Sequence, residues 1–318
     1  MFSPDVGDLQ GYTSNASVNT NNPRTGTHCL QFWAGRYIDF DFDATQEIYA
    51  RIPIAEFDTR CTSLNVYFQN SSEGRTHVRF KEYFGWTYTE IYRGNTLIDT
   101  SPLGVHGLGK WTCFEFYVKI HDTNGIFQVK ADGNLIHDFS GDTRDGGSSD
   151  AIDRIRVQAS SAVRSYNKID DVMIRTDGWC GQGGIYLLKP DSSGDTADWT
   201  ASAGNDYDCV NDIPPDFTDY IYEDSANKDS HLFNCDNLPA GAKIVNGVKV
   251  QSYAKLDVTG SGILNNLVKS GTTTVSGGTT VLTTSDSYPK YYLEDDPDTS
   301  SAWTVSGINN LQIGVEVV

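Results

Sequence analysis

Apolar and polar residues alternate with period two along much of this chain. In its last stretch Leu311, Ile313, Val315 and Val317 are separated by Gln312, Gly314 and Glu316, the pattern of a strand with one buried face. The alternation runs to Val318, so this segment is expected to be paired inside a sheet rather than frayed. Tyr37 to Asp43 puts Ile38, Phe40 and Phe42 on one side and Asp39, Asp41 and Asp43 on the other. Trp111 to Ile120 puts Phe114, Phe116, Val118 and Ile120 on one face. Ile126 to Ala131 leads into Asp132-Gly133, a pair suited to a hairpin turn whose two central residues need positive φ, and Leu135 to Phe139 is the return strand. Ile152 to Val157 and Lys168 to Ile174 read as two more strands.

No stretch of ten or more residues holds a 3.6 period with caps. Short strands separated by Gly, Asn, Asp and Ser turns predict an all-β protein built of sandwiches. Asp177-Gly-Trp-Cys-Gly-Gln-Gly-Gly184 interrupts the strand pattern, which places a domain boundary there. We expect one sandwich over residues 1–177 and a smaller one over 178–318, with a long polar connection across 190–240. In the second, strand alternation starts at Ile185, resumes over Gly247 to Val258, and continues through Ile263 to Val268, Thr279 to Thr283 and Tyr288 to Glu294. Ser270 to Thr280, rich in Gly, Thr and Ser, reads as a loose hairpin tip.

With 318 residues there is enough chain for two cores. No run of 18 apolar residues is present, which argues against a membrane-spanning helix, and the first residues lack the basic and apolar regions of a secretory signal. The net charge of -18 disfavours nucleic acid and anionic membrane as partners. The six cysteines, 29, 61, 113, 180, 209 and 235, form no C-x-x-C pair, so a zinc knuckle is not expected. Cys29 and Cys113 fall in apolar strand patterns and read as buried thiols. Cys180, Cys209 and Cys235 lie in Gly- and Asp-rich stretches and are the candidates for disulfides, within or between chains.

Residues 108–140 and 168–174 carry Lys110-Trp111-Thr112 before a strand, the hairpin Gly125 to Gly133, and Ile169-Asp-Asp-Val-Met-Ile174. Together with Arg24 to Phe32 they resemble the concanavalin A-like, laminin G-type sandwich, in which the Trp and the hairpin fill the space between two large sheets. The second part carries Gly194 to Thr200, Tyr207 to Asp212, Pro214-Pro-Asp216, Leu238-Pro239, Ala302-Trp-Thr304 and Ile308 to Val318. These landmarks resemble the C-terminal region of a set of tailed-phage virion proteins in which a laminin G-like module comes first. The resemblance implies a non-enzymatic structural protein of the virion surface, a head decoration or a tail-fibre component. Its implied partners are other capsid or tail proteins and further copies of itself, with a trimer as the guess.

Candidate chemistry is sparse. Glycosidases on such sandwiches carry Glu-x-Asp-x-x-Glu; the nearest stretch, Glu56-Phe-Asp-Thr-Arg-Cys61, has Cys61 where the third acid belongs, and a glycosidase needs its second carboxylate. Asp39, Asp41 and Asp43 share a strand face and are the candidate calcium ligands. They supply only three of the six or more oxygens the ion takes, and outward aspartates are also ordinary decoration of a strand. The six histidines show no H-E-x-x-H or H-x-x-x-H spacing. Tyr83 to Tyr92 is dense in aromatics, and sugar rings stack on aromatic faces while their hydroxyls take polar partners. Trp86, Tyr88 and Tyr92 are therefore the candidate glycan contacts, against the plainer reading that they pack a core or an interface.

Three functions remain in competition at this level: particle structure, adhesion to a host-surface glycan, and, least favoured, depolymerisation of a polysaccharide. The closing strand gives a direct check. Deleting 311–318 is expected to abolish folding of the second domain, since each lost apolar side chain removes about 1.5–3 kcal/mol of burial from a marginally stable unit. A truncated protein that melts like the intact one would show that this strand lies outside the core.

Overall fold

The structure, a computed structural model, describes residues 16–57, 63–83, 88–107, 109–160, 167–212, 215, 217–224 and 229–318. It divides into two compact units, one up to Ile185 and one from Tyr186. Both are all-β. Trp86, Asp58, Cys61, Pro214 and Asp216 lie outside the described residues.

The strands of the first unit are β1 (Ser17–Asn19), β2 (Cys29–Phe32), β3 (Tyr37–Thr45), β4 (Glu47–Glu56), β5 (Leu64–Asn70), β6 (Arg75–Tyr83), β7 (Tyr88–Arg93), β8 (Thr96–Thr100), β9 (Trp111–Lys119), β10 (Gly125–Ala131), β11 (Asn134–Gly141), β12 (Ile152–Ala159), β13 (Asn167–Ile169) and β14 (Met173–Arg175). One sheet runs β1-β2-β13-β4-β9-β10-β11, with β14 also paired to β4, and the other runs β3-β12-β5-β6-β7-β8. Every neighbouring pair is antiparallel. The sheets face each other through aromatic side chains. Phe68 on β5 packs on Phe116 and Phe127, centroids 5.5 and 5.8 Å away, and Phe80 on β6 packs on Phe114 and Phe116 at 5.0 and 5.1 Å. This is the concanavalin A-like jelly-roll sandwich, with one core between the inner faces. The β10–β11 turn is built as its sequence requires, with Asp132 at φ 47° and Gly133 at φ 82°.

Lys168 to Ile174 is two strands rather than one, and the break is a buried ionic cluster. Asp171 sits at φ 50°, which takes its carboxylate out of the ladder and into the interior. That carboxylate accepts from the Arg24 guanidinium at 2.6 Å, the Thr25 hydroxyl at 2.6 Å and the Ile185 N–H at 2.7 Å. Arg51, 1% exposed, donates to the Asp171 carbonyl at 3.0 Å and the Gly181 carbonyl at 3.4 Å. Arg24 also donates to the Gln182 and Gly183 carbonyls. These bonds hold 181–185 to the first unit, so the unit ends at Ile185 and not at 177.

In the second unit β15 (Pro190–Ala197), β16 (Thr200–Ala201), β17 (Ile221–Tyr222), β18 (Ser230–Cys235), β19 (Val248–Gln251), β20 (Gly262–Ser270), β21 (Thr273–Leu282), β22 (Lys290–Leu293), β23 (Asp295–Asp296), β24 (Ser301–Ala302) and β25 (Gln312–Val317) surround one short helix, α1 (Val305–Asn309). Five strands form a sheet in the order β15-β18-β25-β20-β21, and β19 pairs with β22. The closing strand β25 is the middle strand of that sheet. The core joins Val250, Val268, Trp303, Ile308 and Leu311, with Val248, Tyr291, Leu293 and Ile313 packed against it. The strand read over 247–258 stops at Gln251, because its partner reaches Pro289, which has no N–H to continue the ladder. Ser270 to Thr280 is not a loose tip: Gly271 at φ 53° makes the turn, and the β-branched threonines that follow extend into β21. The helix escaped the sequence reading because five residues are too few to show a 3.6 period. Its N-cap is Thr304, whose hydroxyl accepts from the Gly307 N–H at 2.9 Å.

The five described cysteines are all thiols. This corrects the expectation of disulfides within the chain among Cys180, Cys209 and Cys235. Cys180 is buried and donates to the Met173 carbonyl, Cys209 is buried and donates to the Ala203 carbonyl, and Cys235 lies on β18 with its thiol pushed up to about 12 by burial.

Asp170, beside the ionic cluster, accepts the Arg24 N–H at 2.9 Å. Its carboxyl is raised to about 7, first by burial and then by the neighbouring Asp171 charge. A folded-state value above the unfolded one means the native state holds its proton more tightly. The stability this group contributes is full below its unfolded value near pH 4 and is lost as pH rises through about 7. The melting temperature of the first unit is therefore expected to fall between about pH 4 and pH 7, and Asp170→Asn to flatten that slope. An unchanged slope in the variant would show that the group does not titrate in this window.

Candidate functional site

The six-stranded sheet has one face buried in the sandwich. Ile38, Phe40, Leu64, Val66, Phe68, Val78, Phe80, Ile91, Ile155 and Val157 point inward and are at most 2% exposed. Period two then sends the residues between them to the other face. Strand register lines those residues up in rungs. The first crosses the sheet as Asp39, Arg156, Tyr67, Arg79, Tyr92 and Leu97. The second is Tyr37, Gln158, Asn65, Lys81, Glu90 and Thr100. Asp41, Arg154 and Gln69 begin a third, and Tyr83 pairs with Tyr88 beyond the second.

Cations on this face lie over tyrosine rings. The Arg79 guanidinium carbon is 4.1 Å from the Tyr92 centroid and 5.9 Å from that of Tyr67. Lys81 Nζ is 4.1 Å from the Tyr83 centroid, and the Arg156 guanidinium carbon is 4.1 Å from Tyr37. Each contact is worth roughly 0.5–1 kcal/mol where exposed and more where desolvated. The Tyr92 hydroxyl donates to Glu90. Burial is the main cause that pushes the Tyr83 hydroxyl up to about 12, and it raises Tyr92 as well. Both phenols therefore stay protonated and able to donate at neutral pH.

Two shallow depressions, of about 380 and 290 Å³, open on this face, and both are lined by Tyr67 and Arg79. The first continues over Glu73, Arg75, Thr76, Asn95 and Asp145, the second over Asn65, Lys81 and Gln158. Two polar atoms of lining residues, Arg79 Nε on both depressions and Asn65 Oδ1 on the second, are buried without a hydrogen-bond partner.

Of the sequence candidates, Tyr88 and Tyr92 stand on this face, half-buried. Trp86 lies outside the described residues. Asp39 and Asp41 are held by arginines of the next strand: Arg156 binds both Asp39 oxygens, at 2.6 and 2.7 Å, and Arg154 binds Asp41 at 2.6 Å. Asp43 is exposed at the sheet's edge. Among the described residues no three His, Cys, Asp or Glu side chains are grouped to hold a metal ion. The sequence reading missed Tyr67, Arg79, Lys81 and Asn65. The signal of Arg79 and Lys81 was present in Val78-Arg-Phe-Lys-Glu-Tyr83, where cations and a tyrosine alternate with core residues, and that of Asn65 and Tyr67 in Leu64-Asn-Val-Tyr-Phe68.

Glu56 has a different setting. It closes β4, and both it and Glu82 on β6 are 1% exposed. Glu82 is held well above the carboxylate range by burial and then by the Glu56 charge, and His106 Nδ1 lies 3.2 Å from it. Burial holds His106 down to about 4. Protonation would remove the charge of Glu82, yet its Oε2 is buried without a hydrogen-bond partner.

No family model matches this chain, and no curated protein does. Among solved structures it is similar in part to a sialidase, with TM-score 0.41 and 12% identity over 54% of this chain and 17% of that one. It is also similar to the alginate lyase Aly36B, with TM-score 0.38 and 15% identity over 51% of this chain and 88% of that one. A third is the carbohydrate-binding module CBM66 from Bacillus subtilis, with TM-score 0.38 and 8% identity over 53% of this chain and 98% of that one. The chain spans about a sixth of the sialidase's length.

The Arg156–Asp39 pair anchors the first rung, with Asp39 only 2% exposed. Arg156→Met removes the bidentate partner of the Asp39 carboxylate, with Arg154 remaining 3.7 Å from it, and is expected to cost roughly 2–3 kcal/mol, while the double variant with Asp39→Asn recovers most of that loss. Denaturant unfolding of the two variants checks this; a double variant no more stable than the single would show that the pair is not the anchor.

Proposed function

We propose that this chain is a non-enzymatic saccharide-binding protein whose binding surface is the outer face of the six-stranded sheet. One observation carries the reading: strand register assembles Tyr67, Asn65, Gln158, Arg79 and Lys81 around two adjoining depressions, with Tyr92 beside Arg79 in the same rung. Rigid aromatic faces suit the apolar C–H surface of a pyranose ring, and the flanking amide, hydroxyl and cationic groups suit its oxygens. The depressions are shallow and extended, which fits a polymer lying across strands better than a small molecule enclosed in a pocket.

The setting we propose is the surface of a tailed-phage virion, where such a face would hold the particle to a host-surface glycan. What supports it is the resemblance running through both units in order, from Lys110-Trp111-Thr112 to Ile308–Val318. Head decoration and tail fibre fit this resemblance equally, and peptide mass spectrometry of separated heads and tails from purified particles distinguishes them.

The binding reading is tested with the full chain on a glycan array. Saccharide binding is expected, with Tyr67→Ala and Tyr92→Ala each weakening it about tenfold or more, within the range of aromatic contacts at binding hot spots. Binding that survives both substitutions would move the site off this face, and the absence of any glycan binding would end the proposal.

A further inference from the structure

The charges on this face are not evenly matched. Asp39 and Asp41 neutralise Arg156 and Arg154. Arg75 lies near Glu73, at 3.7 Å, and donates to the Asp145 carbonyl. At the centre, Arg79 and Lys81 alternate on β6 with Phe80 between them, so both project to the same side. Among the described residues no carboxylate pairs with either. Arg79 Nε is buried without a partner, an arrangement that normally costs free energy in a folded protein. Glu90 stands opposite Lys81 across the β6–β7 pairing and accepts from the Tyr92 hydroxyl, but it forms an ion pair with neither cation.

We infer that the ligand is an acidic saccharide, and that a carboxylate on it seats between Arg79 and Lys81. This rests on the saccharide-binding reading and adds the chemical class. A guanidinium stacked on Tyr92 and Tyr67 keeps its N–H edge in a fixed plane, the geometry that binds a carboxylate in bidentate fashion. Lys81 adds a point charge one rung away, and Asn65 supplies an amide beside it. The tyrosine rings support the pyranose that carries the carboxylate. A nucleic acid fits less well. Binding a phosphate backbone rests on many contacts, about six to ten, whereas here two cations lack an ion-pair partner among the described residues and the remaining charge of the chain repels a polyanion.

The test uses the full chain and an array of uronic- and sialic-acid polysaccharides, each beside its carboxyl-reduced form. Reduction replaces the carboxylate with a primary alcohol and leaves the rest of the sugar unchanged. The tightest binder and its reduced partner are then titrated at 50 and 500 mM NaCl, with a single-stranded oligonucleotide as a third probe. We expect reduction to weaken binding about tenfold or more, and high salt to weaken the acid but not the reduced form. Arg79→Gln should lower affinity for the acid about tenfold more than it lowers affinity for the reduced form. Lys81→Gln does the same to a smaller degree, and supplies the result if Arg79→Gln does not fold. Equal affinity for acid and reduced forms would overturn the inference while leaving saccharide binding in place. An oligonucleotide bound as tightly as the acid would overturn it in favour of a general polyanion site. Failure to bind any sugar, acid or neutral, would remove both readings together.

Discussion

Phe80 meets Phe114 and Phe116 across the first sandwich with ring centroids 5.0 and 5.1 Å apart, and the candidate site depends on that contact. Burying Phe80 and Val78 against the opposite sheet fixes the face of β6. A slip of one residue would carry Arg79, Lys81 and Tyr83 into the core, where unpaired cations cost far more than the contacts return. The core therefore sets the site by exclusion. The same constraint passes from strand to strand through the register, so that Tyr67, Arg79 and Tyr92, which are separated in sequence, come to share one rung.

Electrostatics divides the first unit into two regimes. Inside, Arg51 and Asp171 sit in a cluster whose groups are nearly all satisfied by carbonyls, hydroxyls and N–H groups. Breaking such a cluster by removing one member is costly, because the charge left behind is desolvated. Here it also fixes where the first unit ends, since the carbonyls it uses belong to 181–183. Outside, on the six-stranded sheet, the two central cations rest on tyrosine rings. Rings hold a cation in place without neutralising it, whereas a carboxylate does both.

The bulk charge and the local charge thus point in different directions. A net charge of -18 disfavours anionic partners at long range, but its influence over exposed groups decays over about 8–10 Å at physiological salt. Within that distance the ligand meets the side chains of the face itself. A ligand with sparse negative charge can be bound there while a dense polyanion is turned away, and this discrimination comes from the contrast between the face and the rest of the surface.

Much of this protein was legible in its sequence. Period-two patterning determined that it is all-β, that Asp132-Gly133 turns a hairpin, and that 311–318 is a paired strand, because these properties depend on neighbours in the chain. The charged and aromatic residues of Val78-Arg-Phe-Lys-Glu-Tyr83 were visible too, but which strands would stand beside them was not. Pairing between β12, β5, β6 and β7 joins segments up to about ninety residues apart, and no local pattern encodes that order. Asp39 and Asp41 show the same limit: their alternation was plain, yet only the register of β12 gave them arginines at 2.6 Å. Local sequence chose the elements and their buried faces, whereas the order in which strands pair chose which side chains became neighbours.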